Sequence, residues 1–271
     1  MRLSIITPSF NQGKFISQTI ESILRQPDDL DLEFIIVDGK STDETAHIVE
    51  KFRPLIEKKG IRFRFISEPD RGQSDAINKG SKLATGELLT YLNSDDYYEP
   101  QVLGSVVEQF LKYPEAQWGY GGWKFVDLEG REFVVKMPEV YSKNKLLCVD
   151  TIVQPSCFYR KDFFLKVGLI DESLHLSMDY DLWLRMAAVA EPITLPWVIS
   201  NARYYMQTKS ATKTMKHLFE SFQLQRKYSK GLFIRLSQYF YLLRGIAVII
   251  FGYDISVRIE KKRQRLMNSA T

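Results

Sequence analysis

Two adjacent carboxylates, Asp95 and Asp96, form the sharpest chemical feature of the sequence. They end the run Asn93-Ser94-Asp95-Asp96, which directly follows the apolar segment 88–92. Mg²⁺ and Mn²⁺ prefer oxygen ligands, and Mg²⁺ usually takes one or two protein carboxylates while water and phosphate oxygens complete its shell. The run therefore fits a divalent-cation site. A solvated turn, in which Ser94 or Asp96 caps the helix after Pro100, is an equally open interpretation.

Three more polar turns follow apolar segments in residues 1–100. They are Pro8-Ser9-Phe10-Asn11, Asp38-Gly39 and Glu68-Pro69-Asp70-Arg71-Gly72. In open parallel sheets, ligands bind at the carboxyl ends of the strands. We therefore expect all four turns to converge on one crevice.

Hydrophobic periodicity predicts the elements that position these turns. Short apolar runs alternate with amphipathic stretches, which is typical of βα units and a mainly parallel sheet flanked by helices. Strands are predicted at 3–7, 34–37, 63–66 and 88–92, a hairpin at 118–126 and 132–135, helices at 181–189 and 215–228, and a strand-like segment at 193–205. A further helix is expected after Ser41, whose spacing to Glu44 suggests a capping box, and Pro54 is expected to bend or end it.

Composition indicates a globular chain with a sizeable core, because 45% of its 271 residues are hydrophobic. Cys148 and Cys157 cannot form a disulfide framework and have no metal-ligand spacing, so we expect reduced thiols in a cytosolic protein. The apolar run at 3–6 is too short for a signal peptide.

Charge is distributed unevenly along the chain. Residues 213–271 hold twelve Lys and Arg against three acids, which leaves residues 1–212 at −5 within a total of +4. We interpret residues 1–212 as one continuous acidic domain and residues 213–271 as a basic, apolar helical tail. The absence of any nucleic-acid motif and the acidic domain argue against a nucleic-acid-binding module.

The tail contains an apolar segment at 232–253 that is interrupted by Arg235 and Arg244. A spanning helix needs about 20 apolar residues, so no transmembrane segment is predicted. The two arginines are nine residues apart and fall on opposite faces of a helix, so no clean amphipathic helix is expected either. Two interpretations stay open: docking of 232–271 on an anionic inner leaflet, or helices packed on the N-terminal domain or in a homo-oligomer interface.

The motifs taken together resemble the family 2 glycosyltransferases of GT-A fold. The similarity covers roughly residues 2–210, and its motifs lie at 5–11, 35–45, 68–80, 86–96, 153–156, 158–161, 167–174 and 178–185. The resemblance implies a Rossmann-like GT-A domain with a nucleotide-binding half at 1–100 and an acceptor half at 101–212. It also implies an inverting hexosyltransferase that moves a sugar from a nucleotide-sugar donor, taken to be a UDP-sugar.

The resemblance also implies roles for individual residues of the donor site. Pro8, Ser9 and Phe10 would line the base, and Asp38 would accept a hydrogen bond from its ring N–H. Arg71 suits a base edge or a phosphate, and Asp75 would lie near the sugar-nucleotide. A core aromatic at Phe10 and helix caps at Asp38 and Asp75 are the structural alternatives.

In the resembling family, the 93–96 run is the metal motif. Asp95 would ligate Mn²⁺ or Mg²⁺ beside the donor diphosphate, with Ser94 in the donor site and Asp96 in support. Asn93 stands where the family usually has Asp and would offer an amide to the ribose or sugar.

The family's base comes from an acidic pair late in the domain, which here reads Met178-Asp179. Asp179 is therefore the implied catalytic base, with a helix cap as the alternative role. Asp181 would orient a loop or act as a cap, and His175 would touch the acceptor. Arg203 and Lys209 would reach the diphosphate, and Tyr205 replaces a common His.

The implied acceptor is a saccharide or a lipid-linked saccharide in cell-surface polysaccharide synthesis, met at the inner face of the plasma membrane. A degenerate family member acting as a binding or assembly subunit remains an alternative, because Asn93, Met178 and Tyr205 depart from the pattern. A nucleotidyltransferase is a weaker one, since Pro8-Ser9-Phe10-Asn11 is not its Gly- and Lys/Arg-rich loop.

Overall fold

The computed structural model describes residues 1–205, 214–246 and 249. Contacts divide the chain into two compact units. The first comprises Met1–Tyr141 and Thr151–Tyr205, and the second comprises Ser142–Asp150 and the described part of 206–271. The predicted boundary at residue 212 lies outside the described residues. Residues 142–150, which we expected in the acceptor half of the N-terminal domain, belong to the second unit instead.

A mixed sheet forms the centre of the first unit. Its strands are β1 (Leu3–Ser9), β2 (Leu32–Asp38), β3 (Arg62–Ser67), β4 (Leu88–Tyr91), β5 (Tyr97–Tyr98), β6 (Trp118–Val126), β7 (Glu132–Lys136), β8 (Cys157–Arg160) and β9 (Ile193–Arg203). Their order is β3-β2-β1-β4-β8-β6-β9-β5, and β7 pairs with β6. The first four strands are parallel, which confirms the predicted βα half. Beyond β4 most neighbours are antiparallel, so the mainly parallel character belongs to residues 1–100.

Helices cover both faces of this sheet. They are α1 (Ile16–Leu24), α2 (Thr45–Lys58), α3 (Gln73–Leu83), α4 (Val102–Lys112), α6 (Lys161–Val167) and α7 (Met178–Val189). β1 and β2 are buried along their whole length, as expected of strands covered on both sides. Leu3 and Ile5 belong to a core with α1, α2 and α4, whereas Ile6 faces Gly80 of α3.

Two predictions about helix ends are wrong. The cap of α2 is Glu44, which makes no side-chain capping bond, and the Ser41 hydroxyl binds Asp38 instead. Of the two outcomes expected at Pro54, a bend or an end, the helix does not end there, because α2 continues through Pro54 to Lys58. The cap interpretation of the 93–96 run fails as well, because Gln101 precedes α4 in a left-handed conformation with φ of 60°.

The second unit contains α5 (Lys143–Leu146), α8 (Thr214–Tyr228) and a helix α9 that is described over 232–246. The buried Gln238 amide of α9 donates to the Leu147 carbonyl at 2.8 Å and to the Gln225 carbonyl of α8 at 3.1 Å. None of the helices in the described residues has both the length and the apolar content needed to cross a membrane. Both cysteines are free and buried.

Candidate active site

The carboxyl ends of β1, β2 and β4 place three of the four polar turns side by side. Ser9 lies opposite Asp38 in the parallel register, and the Leu92 N–H donates to the Ile6 carbonyl at 2.8 Å. The turn after β3 leads into α3, whose Gln73 amide donates to the Asn93 Oδ1 at 2.7 Å. The structure thus brings the sequence-predicted turns to one edge of the sheet.

The two neighbouring carboxylates at this edge meet different environments. Asp96 is buried and accepts the Arg203 backbone N–H at 2.8 Å and the Asn93 amide at 3.1 Å. Burial, together with the charge of Asp95, raises the pKa of Asp96 well above its ordinary value. Asp95 is partly exposed, and its Oδ2 accepts the Tyr205 hydroxyl at 3.2 Å. Asp95 is therefore the carboxylate that can meet a ligand.

Asn93 has a structural reason for not being Asp. Its amide nitrogen donates to Asp96 while its oxygen accepts from Gln73, so a carboxylate here would face Asp96 as a second negative charge. The turn is also held from behind, because the Thr19 hydroxyl of α1 bonds the Ser94 carbonyl at 2.9 Å and the Asp96 carbonyl at 2.7 Å.

The resemblance implied that Arg203 reaches the diphosphate, but the structure binds its side chain inside the domain. Its buried guanidinium bonds the backbone carbonyls of Asp95 at 2.9 Å, Leu128 at 2.9 Å and Asp127 at 3.1 Å, and it also bonds Gln18. It lies over the Phe15 ring at 4.9 Å. Arg203 therefore fixes the turn that carries Asp95. Lys209 lies outside the described residues.

The first loop offers an aromatic surface and a buried hydroxyl. Phe10 is 58% exposed, which excludes its alternative role as a core aromatic. Pro8 is buried in β1, and the buried Ser9 Oγ has no hydrogen-bond partner within the part of the chain that the structure describes. An exposed ring beside an unsatisfied buried hydroxyl fits a polar aromatic ligand.

Asp38 differs from the expected open position. Its side chain is fully buried, and its Oδ2 accepts the Ser41 N–H at 2.9 Å and the Ser67 hydroxyl at 2.7 Å, while Oδ1 accepts the Ser41 hydroxyl. An ionised carboxylate has about four acceptor sites, so one remains.

Arg71 and Asp75 form an ion pair that extends to the loop before α7. Arg71 Nη2 lies 3.0 Å from Asp75 and 2.7 Å from Glu172. Burial alone would raise the pKa of Asp75, but hydrogen bonds from Arg71 and Lys79 outweigh it and lower the pKa to about 2. Asp75 is therefore ionised and already neutralised, while the Arg71 side chain stays 75% exposed.

The predicted base lies in the first turn of α7. The cap of this helix is Ser177, so Asp179 is not the cap, and its Oδ1 accepts the Tyr180 N–H at 2.9 Å. The neighbouring Met178 sulfur lies 2.9 Å from the Ser74 hydroxyl of α3. Since Gln73 touches Asn93 and Ser74 touches Met178, the start of α3 joins the carboxylate turn to the start of α7.

Two supporting candidates stand apart from this junction. Asp181 is buried and pairs with Arg185 at 2.7 Å, and Arg185 holds the carbonyls of Val167 and Leu169. Asp181 therefore stabilises a loop. His175 is exposed in the segment before α7.

Side chains that the sequence analysis did not assign also shape the site. The 93–96 turn is held by Gln73 and Thr19, and Arg71 is held by Glu172. No sequence signal distinguished these three residues. The sequence analysis named Tyr205 only as the residue that replaces a common His and gave it no role. Burial and the charges of Asp95 and Asp96 raise the pKa of Tyr205 to about 12, so its hydroxyl stays protonated at neutral pH.

The donor set at this edge fits a hard cation only with help from a substrate. Within the described residues, no three His, Cys, Asp or Glu side chains are grouped to hold a metal ion. A single partly exposed carboxylate, Asp95, suits Mg²⁺ or Mn²⁺ when phosphate oxygens and water supply the remaining ligands. The side chains therefore fit a cation that binds together with a diphosphate.

A Rossmann-like half followed by a mixed, mostly antiparallel half, with carboxylates at the end of β4, defines the GT-A class of fold. The family model of glycosyl transferase family 2 matches residues 4–167. The chain belongs to this family and is a glycosyltransferase.

The chain resembles proteins from several organisms. An uncharacterized glycosyltransferase of Mycobacterium tuberculosis is 31% identical over 201 residues, which cover 73% of each chain. The TarS 1–349 structure from S. aureus with UDP-GlcNAc aligns with a TM-score of 0.66 at 19% identity, covering 97% of this chain and 78% of the 1–349 chain. The mannosyltransferase PcManGT of Pyrobaculum calidifontis with GDP-Man and Mn²⁺ aligns at 0.66 and 17%, covering 97% and 79%. These two structures support the fold.

Proposed function

We propose that the chain is a metal-dependent inverting glycosyltransferase that uses a nucleotide-sugar donor, namely a UDP-sugar. One observation carries this proposal: Asp95 is partly exposed at the edge of the sheet where Phe10 and Ser9 also lie, and α3 joins this edge to the start of α7. The complexes of similar folds with UDP-GlcNAc and with GDP-Man and Mn²⁺ support the donor class and the cation.

The side chains divide the work of transfer. Phe10 stacks on the base, and Arg71 pairs with a base edge or phosphate after exchanging its contact with Glu172. Asp95 holds Mn²⁺ or Mg²⁺, which supplies positive charge for the leaving diphosphate. Asp179 takes the proton of the acceptor hydroxyl while that oxygen attacks the anomeric carbon and the bond to the diphosphate breaks.

The three departures from the family pattern are compatible with activity. The Asn93 amide donates a hydrogen bond to the buried Asp96, Met178 packs against Ser74, and the Tyr205 hydroxyl donates a hydrogen bond to Asp95. Each substituted side chain thus has a partner in this chain. An inactive binding subunit is the competing candidate, and the experiment below separates the two.

We also propose a saccharide or lipid-linked acceptor used in cell-surface polysaccharide synthesis. The net charge of +9 in residues 213–271 supports a location at the anionic inner face of the plasma membrane, where lipid-linked acceptors occur.

Thermal unfolding with nucleoside diphosphates tests the donor site. We expect UDP with Mn²⁺ to raise the Tm more than UDP alone, because a ligand that binds the native state stabilises it. Asp95→Asn should lose the part of the Tm increase that depends on Mn²⁺. Asp162→Asn, a change on the exposed face of α6, is the matched control and should behave as the wild type. A missing response to UDP, GDP, CDP and dTDP would contradict the proposal.

Transfer itself tests the base. Asp179→Asn should keep the UDP and Mn²⁺ response and lose transfer by about 10²-fold or more, the contribution of a general base. The measurements are the rate of donor hydrolysis and the rate of sugar transfer to an acceptor in a lipid extract. Full transfer by the variant would remove Asp179 as base, and nucleotide binding without transfer in the wild type would favour the binding subunit.

A further inference from the structure

One side of α9 carries an exposed apolar face. We define the apolar face by six large side chains, which are 46% to 85% exposed: Leu232, Phe233, Leu236, Tyr239, Phe240 and Leu243. Their spacing of three and four residues keeps them on the same side of a helix. Soluble proteins rarely leave so many neighbouring large apolar side chains in water, so this face indicates an interaction surface.

Arginines border the apolar face along both edges. At about 100° per residue, Arg235 and Arg244 lie on opposite sides of the helix, and the six apolar side chains lie between them. The expectation that these arginines prevent an amphipathic helix is therefore wrong. They separate an apolar half from a half that is packed inside the unit.

The opposite side of α9 is fixed by contacts within the second unit. Gln238 is fully buried and bonds the carbonyls of Leu147 and Gln225. Gly245 faces Leu218 of α8 so closely that an added Cβ would lie 2.9 Å from its Cδ1. Because the opposite side of α9 is held by these contacts, the apolar face is the exposed side of the helix.

We propose that the apolar face docks in the plane of an anionic lipid bilayer, with Arg235 and Arg244 at the level of the headgroups. An apolar side buried at the acyl boundary with basic residues along its edges is how interfacial helices bind. Charge complementarity favours lipid, since 213–271 carries a net charge of +9. A second copy fits less well, because 232–246 has no acidic residue to pair with the flanking arginines of a symmetric partner.

This inference deepens the proposed location at a membrane and rests on it, but it does not depend on the transfer reaction. The location was argued from the charge of the tail, whereas the apolar face names the surface, its orientation and its residues. Docking would hold the second unit at the leaflet that carries a lipid-linked acceptor.

Flotation of the full chain with vesicles tests the apolar face. The probes are vesicles of phosphatidylcholine alone and of phosphatidylcholine mixed with phosphatidylglycerol. We expect binding to the mixed vesicles, and Leu236→Glu should weaken it by about tenfold or more because a charge replaces a buried apolar side chain. Leu111→Glu on α4 is the matched control, since Leu111 is 56% exposed and Leu236 57%. This control should float as the wild type does.

Variants of the two arginines and the oligomeric state in solution distinguish lipid docking from the alternatives. Arg235→Gln with Arg244→Gln should weaken the preference for phosphatidylglycerol, and high salt should weaken it further. Equal flotation of Leu236→Glu and Leu111→Glu would overturn the proposal. So would a lipid-free dimer that Leu236→Glu dissociates in sedimentation velocity. The Tm response to UDP and Mn²⁺ should be unchanged in Leu236→Glu, so failure of docking and failure of the donor site are distinguishable.

Discussion

At the scale of single residues, Asp95 and Asp96 carry the same group but meet different surroundings. Asp96 is buried beneath the turn, where Asn93 and the backbone of Arg203 satisfy it, whereas Asp95 is partly exposed and bonded to Tyr205. A carboxylate on the surface of the turn can approach a cation, and a buried one can only shape the turn. Burial therefore decides which of the two carboxylates can approach a cation.

The Tyr205 hydroxyl orients Asp95, so removing it should weaken cation binding. We expect Tyr205→Phe to need about tenfold more Mn²⁺ for the same Tm response in UDP, the usual cost of losing a hydrogen bond to a metal ligand. Tyr113→Phe, at the exposed end of α4, serves as control. An unchanged Mn²⁺ titration in Tyr205→Phe would show that this hydroxyl does not position Asp95.

At the scale of elements, α3 connects the parts of the site. Its first residues touch Asn93 and Met178, and Asn78 bonds the Ile170 carbonyl and Glu172 in the loop before α7. α3 packs against β1 through Gly80, where a Cβ would lie 2.5 Å from Ile6 Cγ2. The position of α3 on the sheet therefore decides how the turn that carries Asp95 and the start of α7 lie.

Gly80→Ala should destabilise the first unit although alanine favours helices. The intrinsic gain is about 1 kcal/mol, and overpacking against Ile6 costs about 1–3 kcal/mol, so we expect a small net loss in free energy of unfolding. Gly104→Ala in α4 is the matched helix control, since its Cβ would meet only Pro27, at 3.1 Å. Urea denaturation measures both. A Gly80→Ala protein as stable as Gly104→Ala would contradict this account of the packing.

At the scale of the whole molecule, the small net charge of +4 combines two opposite parts. The acidic part includes carboxylates held by hydrogen bonds in the first unit, and the basic excess lies in residues 213–271. For Glu33, Asp43, Asp75 and Asp127, burial raises the pKa, but hydrogen bonds outweigh it and lower the pKa of each carboxyl. These groups couple stability to pH.

Acid should therefore destabilise the first unit. A carboxyl whose folded pKa is lowered stabilises the native state above its unfolded pKa, and the gain is lost as pH falls through the folded pKa. For Asp75 this window runs from 3.8 to about 2. Asp75→Asn should be less stable than the wild type at pH 7, and the difference in urea midpoint should vanish near the lower limit. A difference independent of pH would contradict this coupling.

The βα half and the convergence of the polar turns could be predicted because the signals are local. Continuous apolar runs such as 34–37 identify buried strands, and the polar turns after them mark the edge where ligands bind. The capping box at Ser41 was predicted wrongly, because Asp38 competes for the same hydroxyl. The role of Arg203 was also missed, since its carbonyl partners lie far away in the chain.

The sequence by itself determined the family, the βα half and the set of carboxylates at the strand ends, because these depend on residue type and short spacing. Only the tertiary structure decided that Asp95 is partly exposed while Asp96 is buried, that Asp38 is buried and bonded to Ser41, and that the arginines of α9 border its apolar face. Burial and hydrogen-bond partners come from segments distant in the chain. A pattern of residues along the chain does not contain them until the chain has folded.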